Sequence, residues 1–279
     1  MSKFRLISSV LCAAILAIGP AQAASASPDA SPWADDNYAA ARLIAGSSKD
    51  ASKRLRAGIE IKMPPGWHTY WRYPGDSGMP PSFDFTGSKN LASVKVLYPV
   101  PRLMTDETGQ TLGYTGDVVL PLRVTPREPG KPVALRLKLE YAVCEKVCVP
   151  EEGHLALDVT GAKSTYDARL AAAEARVPQQ VDPKALGLSV HRLNGGAKPM
   201  VAVDFKAPSD QPVHVFAEGP TPEWALPIPQ PTQPAPAGYQ RFSFALDGLP
   251  PGADPKSPVD LTLTVTAGAK AYEVRTRLD

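Results

Sequence analysis

Leu135-Arg136-Leu137-Lys138-Leu139-Glu140-Tyr141 alternates apolar and charged residues, then runs on into Cys144-Glu145-Lys146-Val147-Cys148-Val149-Pro150. Side chains of a strand point to opposite faces in turn, so this alternation marks a strand with one buried and one wet face. The pattern predicts a strand over residues 133–143 and another over 154–159. The two cysteines therefore fall at a strand end and in the connection to the next strand. Three intervening residues can curl enough to bring the Cα atoms within the roughly 4.4–6.8 Å that a disulfide spans.

The same period recurs on both sides. Residues 38–45 form the first structured stretch, and residues 55–63 alternate cleanly. Pro64-Pro65-Gly66 is a turn, and Trp67-His68-Thr69-Tyr70-Trp71 follows as an aromatic strand. Its parity puts Trp67 and Trp71 on one face, suited to a core, and His68 and Tyr70 on the other, a candidate partner surface. A Gly- and Pro-rich loop covers 73–81. Further strands are expected at 82–85, 94–98 and 118–124, with turn residues between them at the spacing of an antiparallel sandwich. This first unit spans 37–161.

Tyr166, Leu170, Ala173 and Val177 then recur at helical spacing, so residues 162–184 read as a short helical linker. Strand signals return at 186–193, 200–206, 213–218, 239–246, 259–267 and 272–278. The Pro-rich stretch 227–236 reads as a loop that cannot lie within a sheet interior. With 31 Pro, 21 Gly and few helical patterns, the expected fold is all-β: two immunoglobulin-like β-sandwich domains in tandem, the second spanning 185–279.

The N-terminus sets the compartment. Lys3 and Arg5 precede an apolar run from Leu6 to Ile18, and Ala21-Gln22-Ala23 supplies small residues at a cleavage site. That is the order of a secretory signal, residues 1–23. The apolar run is about 13 residues, short of the roughly 20 that span a bilayer. Residues 24–36 read as a flexible leader. The expected product is a periplasmic protein without stable membrane insertion. Losing Lys3 and Arg5 brings Lys+Arg from 30 to 28, against 28 Asp+Glu. A net charge near zero argues against nucleic acid as a partner. Cleavage also removes Cys12, leaving Cys144 and Cys148 as a pair in an oxidising compartment.

Three chemistries compete for that pair. A structural staple closing a five-residue loop would contribute only about 2 kcal/mol in the chain-entropy account. A short, accessible loop suits a dithiol that is opened and closed repeatedly. A Cu(I) or Zn site would need more ligands, with His154 as the weak candidate beside the two thiolates. Glu145, Glu151 and Glu152 outnumber Lys146 nearby, which disfavours strongly acidic thiols. Residues 75–81 hold Asp76 and Ser77 but no hydrolase elbow. His191 and His214 stand alone in the second unit.

Over residues 37–161 the chain resembles the N-terminal periplasmic domain of DsbD, the transmembrane thiol:disulfide interchange protein, and of its relative ScsB. The resemblance rests on Trp67-His68-Thr69-Tyr70-Trp71, on Pro74-Gly75-Asp76-Ser77-Gly78, and on Cys144-x-x-x-Cys148-Val149-Pro150. It implies an immunoglobulin-like fold and a reversible disulfide, with no cofactor. It also implies that Cys148 is the cysteine that attacks the partner. The implied partners are a transmembrane electron donor, here on a separate chain, and thioredoxin-like periplasmic proteins. In the family a loop with an aromatic after Asp-Glu shields the disulfide. Here Asp106-Glu107-Thr108 matches the acidic pair but puts Thr108 at the aromatic position. Asp106 and Glu107 are then candidate modulators of the thiols, and Tyr114 or Leu112 the candidate shield.

Overall fold

The computed structural model describes residues 29–35, 37–48, 54–107, 109–193, 198–206 and 212–279. The expected signal at 1–23, including Cys12, and Thr108 of the expected cap lie outside the described residues. The strands are β1 (Ala34–Asp35), β2 (Ala40–Gly46), β3 (Leu55–Lys62), β4 (His68–Gly75), β5 (Ser82–Asp84), β6 (Leu91–Val96), β7 (Arg102–Asp106), β8 (Gly109–Thr115), β9 (Val118–Pro126), β10 (Val133–Cys144) and β11 (Cys148–Val159). After helix α1 (Asp167–Glu174) come β12 (Gln179–Gln180), β13 (Ser189–Leu193), β14 (Met200–Phe205), β15 (Val213–Glu218), β16 (Gln230–Thr232), β17 (Gln240–Ala245), β18 (Val259–Ala267) and β19 (Lys270–Leu278). Among the described residues no helix is long and apolar enough to cross a membrane.

The strands form four sheets in two facing pairs. In the first pair, a sheet ordered β1-β2-β3-β9-β6 faces one ordered β11-β10-β4-β8-β7, with β5 also on β10. Alternation explains the facing: Val133, Leu135, Leu137, Leu139, Tyr141 and Val143 of β10 are all buried in the shared core, while the charged residues between them face out. In the second pair, β12-β19-β18-β15 faces β13-β14-β17-β16 over its own core, which includes Phe242, Phe244, Leu263 and Val265. The fold is all-β and immunoglobulin-like.

Three features depart from the expectation. Residues 29–35 of the expected leader are ordered: Ala34–Asp35 pairs with β2, Ala30 is buried, and the Ser31 hydroxyl accepts from the Leu43 amide at 2.9 Å. The cause is the free edge of β2, whose amides need partners; Arg42 lying 4.2 Å over the Trp33 ring adds to the hold. The β7–β8 hairpin was not expected, because residues 102–115 carry Thr, Gly and Gln where a strand pattern would show alternation. The Pro-rich stretch, read as a loop, contributes the short strand β16, though only at the sheet edge where Pro is tolerated, so its exclusion from the sheet interior holds.

Helix α1 does more than connect. Leu170 and Ala173 are buried against Ile44 and Val119, on the outer face of the first sheet. Gly46 and Gly58 make room for it: a Cβ at either would come within 2.5 and 2.7 Å of the Leu170 methyls. Glu174 accepts from Arg56 Nε and Nη2, both at 3.0 Å, and from Arg123 at 2.5 Å. Burial would raise the Glu174 pKa, but hydrogen bonds from the two guanidiniums outweigh it and hold the carboxyl below its usual range.

The two pairs of sheets also touch. Phe216 and Ile228, from the second pair, are buried in the core of the first, with Phe216 edge-on to Trp71 at 6.0 Å.

Two expectations follow. Leu170→Ala should destabilise the protein by about 2–5 kcal/mol, the range for buried leucines, read by urea unfolding. A carboxylate with a lowered folded pKa stabilises above its unfolded pKa, and that stabilisation is lost as pH falls through the folded value. Glu174→Gln should therefore flatten the acid limb of the stability–pH curve below about pH 4.3, measured by unfolding at a series of pH values.

Candidate functional site

Strand β10 runs antiparallel to β11 in unbroken register, from Val133 opposite Val159 to Cys144 opposite Cys148. Residues 145–147 close the hairpin. The register places the two cysteines side by side as a cross-strand pair, joined as a disulfide with Cα atoms 4.2 Å apart. Parity then sets the face. Tyr141 and Val143 point into the core, so Ala142 and Cys144 point outward.

Outward does not mean exposed at Cys144, which is only 3% accessible, whereas Cys148 is exposed. The cover comes from β4. It pairs with β10 at only two positions, Thr69 opposite Val143 and His68 opposite Cys144. It then diverges, and the chain returns to β10 as β5, with Ser82 opposite Glu140. Thr69 pins the divergence by donating its hydroxyl to Ala142 O at 2.8 Å. Tyr70 stands at the fork. Its hydroxyl lies 2.8 Å from Cys144 Sγ and 3.2 Å from Cys148 Sγ. The returning loop packs on its ring: Gly78 has φ 120°, and a Cβ there would fall 2.3 Å from Tyr70 Cε1. Tyr70, Ala142 and Cys144 thus form a small buried cluster of their own, outside the main core.

This relocates several expected residues. Tyr70, read as part of an exposed partner surface, is 3% accessible and supplies the contact to the sulfurs. Strand parity correctly put it on the face opposite the core, but could not show a loop folding back over that face. His68 keeps its place on that face, half-buried, directly across from Cys144 and edge-on to Tyr70 at 5.4 Å. Tyr114 and Leu112 are not the shield. Both lie in the main core, and the Tyr114 hydroxyl donates to Pro99 O at 2.7 Å. Full burial pushes the Tyr114 phenol well above its usual pKa.

Asp106 and Glu107 lead the turn of the β7–β8 hairpin, where Asp106 pairs with Gly109. This hairpin reaches the site through Asp76, which accepts from the Gln110 amide at 2.8 Å and donates its own amide to Gln110 O at 2.9 Å. Gly78, two residues on, touches Tyr70. The path from the hairpin to the sulfurs is therefore indirect.

The expected acidic surroundings are dispersed by alternation along β11. Glu151 is buried, opposite in parity to Cys148, and accepts from the Asn37 and Tyr38 amides at 3.1 and 2.8 Å. Glu152 pairs outward with Lys138 at 3.3 Å and His154 at 2.9 Å, and these partners hold its pKa below the usual range. Glu145 and Lys146, one of each sign, remain beside the disulfide. His154 stands six residues along a regular strand from Cys148, roughly 20 Å away at strand rise. The weak metal set of Cys144, Cys148 and His154 is therefore not brought together, and the described residues contain no group of three potential ligands.

Tyr38, Met79 and Val147 are the exposed large apolar side chains among the described residues, 50, 40 and 70% accessible. Two of them are carried by the segments around the disulfide. Val147 lies between the cysteines, and Met79 follows Gly78 in the covering loop. Tyr38 instead stacks at 4.6 Å on Trp67, which packs against the main core, and its amide is held by Glu151 on the face opposite Cys148. Sequence reading missed Met79 because it joins the cysteine hairpin from a segment distant along the chain.

Comparison with known proteins agrees with this geometry. Residues 39–160 match the family model described as "Thiol:disulfide interchange protein DsbD, N-terminal". No curated protein sequence matches the chain. Among solved structures, the N-terminal periplasmic domain of ScsB from Proteus mirabilis is similar, with a TM-score of 0.68 and 20% identity. That likeness covers 90% of this chain and 99% of the other. Residues 39–160, which hold Cys144 and Cys148 together, thus form a domain like the N-terminal domain of DsbD, whose family is described as a thiol:disulfide interchange protein.

Proposed function

We propose that this protein is an extracytoplasmic thiol-disulfide oxidoreductase. In this reading it takes reducing equivalents from a transmembrane dithiol donor and passes them to thioredoxin-like periplasmic proteins. The observation that carries the proposal is the asymmetry of the disulfide, with Cys148 exposed and Cys144 buried under the Tyr70 hydroxyl. A staple is poorly placed at this site. The strands it joins are already held by a continuous ladder, and a five-residue loop yields only about 2 kcal/mol. The periplasmic setting of the ScsB domain and the signal-like residues 1–23 support the compartment. The two pairs of sheets, each with a core of its own, support a division into two domains near residues 161–185.

The chemistry follows from the asymmetry. In the reduced protein, the exposed Cys148 thiolate attacks one sulfur of a partner disulfide. A mixed disulfide forms, and the partner's other sulfur leaves as a thiolate. The Cys144 thiolate then attacks Cys148 Sγ, restoring the Cys144–Cys148 bond and releasing the partner with two electrons and a second thiolate. The donor dithiol reduces the bond again by the same exchange in reverse. Tyr70 serves twice here: its ring keeps Cys144 from unselected reagents, and its hydroxyl can donate to a thiolate on either sulfur. Met79 and Val147 give a partner apolar area to cover once its own disulfide is aligned.

The reading makes two measurable claims. After reduction, Cys148 should be alkylated at least about tenfold faster than Cys144, because a buried thiol reacts only through local opening; single-cysteine variants and mass spectrometry give both rates. Cys144→Ala should trap a mixed disulfide with a thioredoxin-like protein through Cys148, and Cys148→Ala should trap none. A Cys144–Cys148 reduction potential far below about −300 mV, with no trapping by Cys144→Ala, would return the bond to a structural role.

A further inference from the structure

We infer that the second pair of sheets braces the cover of the disulfide, with Arg72 as the positioning residue; this rests on the exchange reading above. The cover is Tyr70, and Tyr70 is kept in place by the loop that leaves β4 and returns as β5. That loop is tied to the second pair of sheets at its root and along its flank.

At the root, Arg72 reaches two carboxylates of the second pair. Its Nε donates to Glu218 Oε1 at 2.8 Å, and its Nη2 to Glu218 Oε2 at 2.6 Å and to Glu273 Oε2 at 2.8 Å. The three side chains are 24, 17 and 12% accessible, so solvent screens the cluster weakly and its forked geometry is well defined. The guanidinium also lies 4.5 Å over the Trp71 ring, whose neighbour Phe216 comes from the second pair. The next residue, Tyr73, donates its hydroxyl to Leu226 O. On the flank, Gln230 Nε2 donates to Gln110 Oε1 at 2.7 Å, and Gln110 is the residue whose backbone holds Asp76.

Gly78 follows on the Tyr70 ring. Behind the loop, a cleft of about 460 Å³ runs from Asp76 to Trp224 and leaves space into which the loop can withdraw. The ties to Glu218, Glu273, Leu226 and Gln230 restrain that movement. A shift of the second pair of sheets would therefore reach Cys144 through the loop, without touching either sulfur.

The test reads access to Cys144 and needs no partner protein. In the full chain carrying Cys148→Ser, the alkylation rate of Cys144 by iodoacetamide is measured with and without Arg72→Met, and again over a series of sub-denaturing urea concentrations. Arg72→Met should raise the rate by about tenfold or more, the scale of a lost charged hydrogen bond acting on a local opening. That gain should change little with urea, because local opening exposes little surface. Glu218→Gln and Glu273→Gln are milder variants that keep one carboxylate on Arg72. Each should give a smaller gain of the same kind, and they decide the matter if Arg72→Met does not fold. Unchanged rates in folded variants would overturn the brace. So would gains that climb with urea as steeply as global unfolding, since Arg72 would then only be stabilising the fold. Trapping of a partner through Cys148 is scored separately, so a failed exchange reading and a failed brace give different results.

Discussion

The unbroken register between β10 and β11 is the constraint on which the rest of the site depends. With Val133 opposite Val159, every later pair is fixed, and Cys144 must meet Cys148 at the hairpin's end. The buried row Leu135, Leu137, Leu139, Tyr141 and Val143 enforces that register, because a slip of one residue would move the whole row out of the core. The same parity puts Cys144 on the far face of the sheet. The bulk of the domain thus holds the redox pair in place while keeping it out of the main core.

What lies on that far face depends on a second constraint, the early parting of β4 from β10. Had the two strands stayed paired, Tyr70 would sit beside Ala142 on an open sheet surface. Their separation after Thr69 opens a fork, and the returning chain fills it with the Gly78 loop. A glycine is required there for two reasons: the backbone has φ 120°, and the Tyr70 ring occupies the space a side chain would take. The resulting buried cluster of Tyr70, Ala142 and Cys144 covers one of the two sulfurs. Asymmetry between two chemically identical cysteines is in this way a product of strand topology.

The sequence was legible where the physics is local. Alternation located β3, β10, β18 and most other strands, and helical spacing of Tyr166, Leu170 and Ala173 found α1. It also placed Cys144 at a strand end, but Cys148, expected in the connection before a strand at 154–159, instead opens β11, because the ladder with β10 runs on to the hairpin's end. Non-local relations were illegible. Nothing in Trp67–Trp71 announces that a loop closes over Tyr70, and nothing near Glu151 shows that its carboxylate is taken by the Asn37 and Tyr38 amides. The family's cap pattern directed attention to Asp106, Glu107 and Tyr114. In this chain the aromatic on the sulfurs comes instead from β4, next to the cysteine strand, and Tyr114 is spent on the core.

A buried sulfur and an exposed one, joined by a bond, present a partner with a choice that is already made. Attack on the disulfide is open at Cys148, so Cys144 becomes the sulfur that leaves, and it leaves into a site with a phenol hydroxyl 2.8 Å away. On the proposed exchange, a reduced Cys148 would reach outward while Cys144 waits behind it to resolve the mixed disulfide. Selectivity between partners would then come from the ground around the sulfurs, which includes Met79 and Val147, carried by the covering loop and the cysteine hairpin. Because Met79 rides on the loop that shields Cys144, a partner that covered it would also bear on how firmly Tyr70 is held.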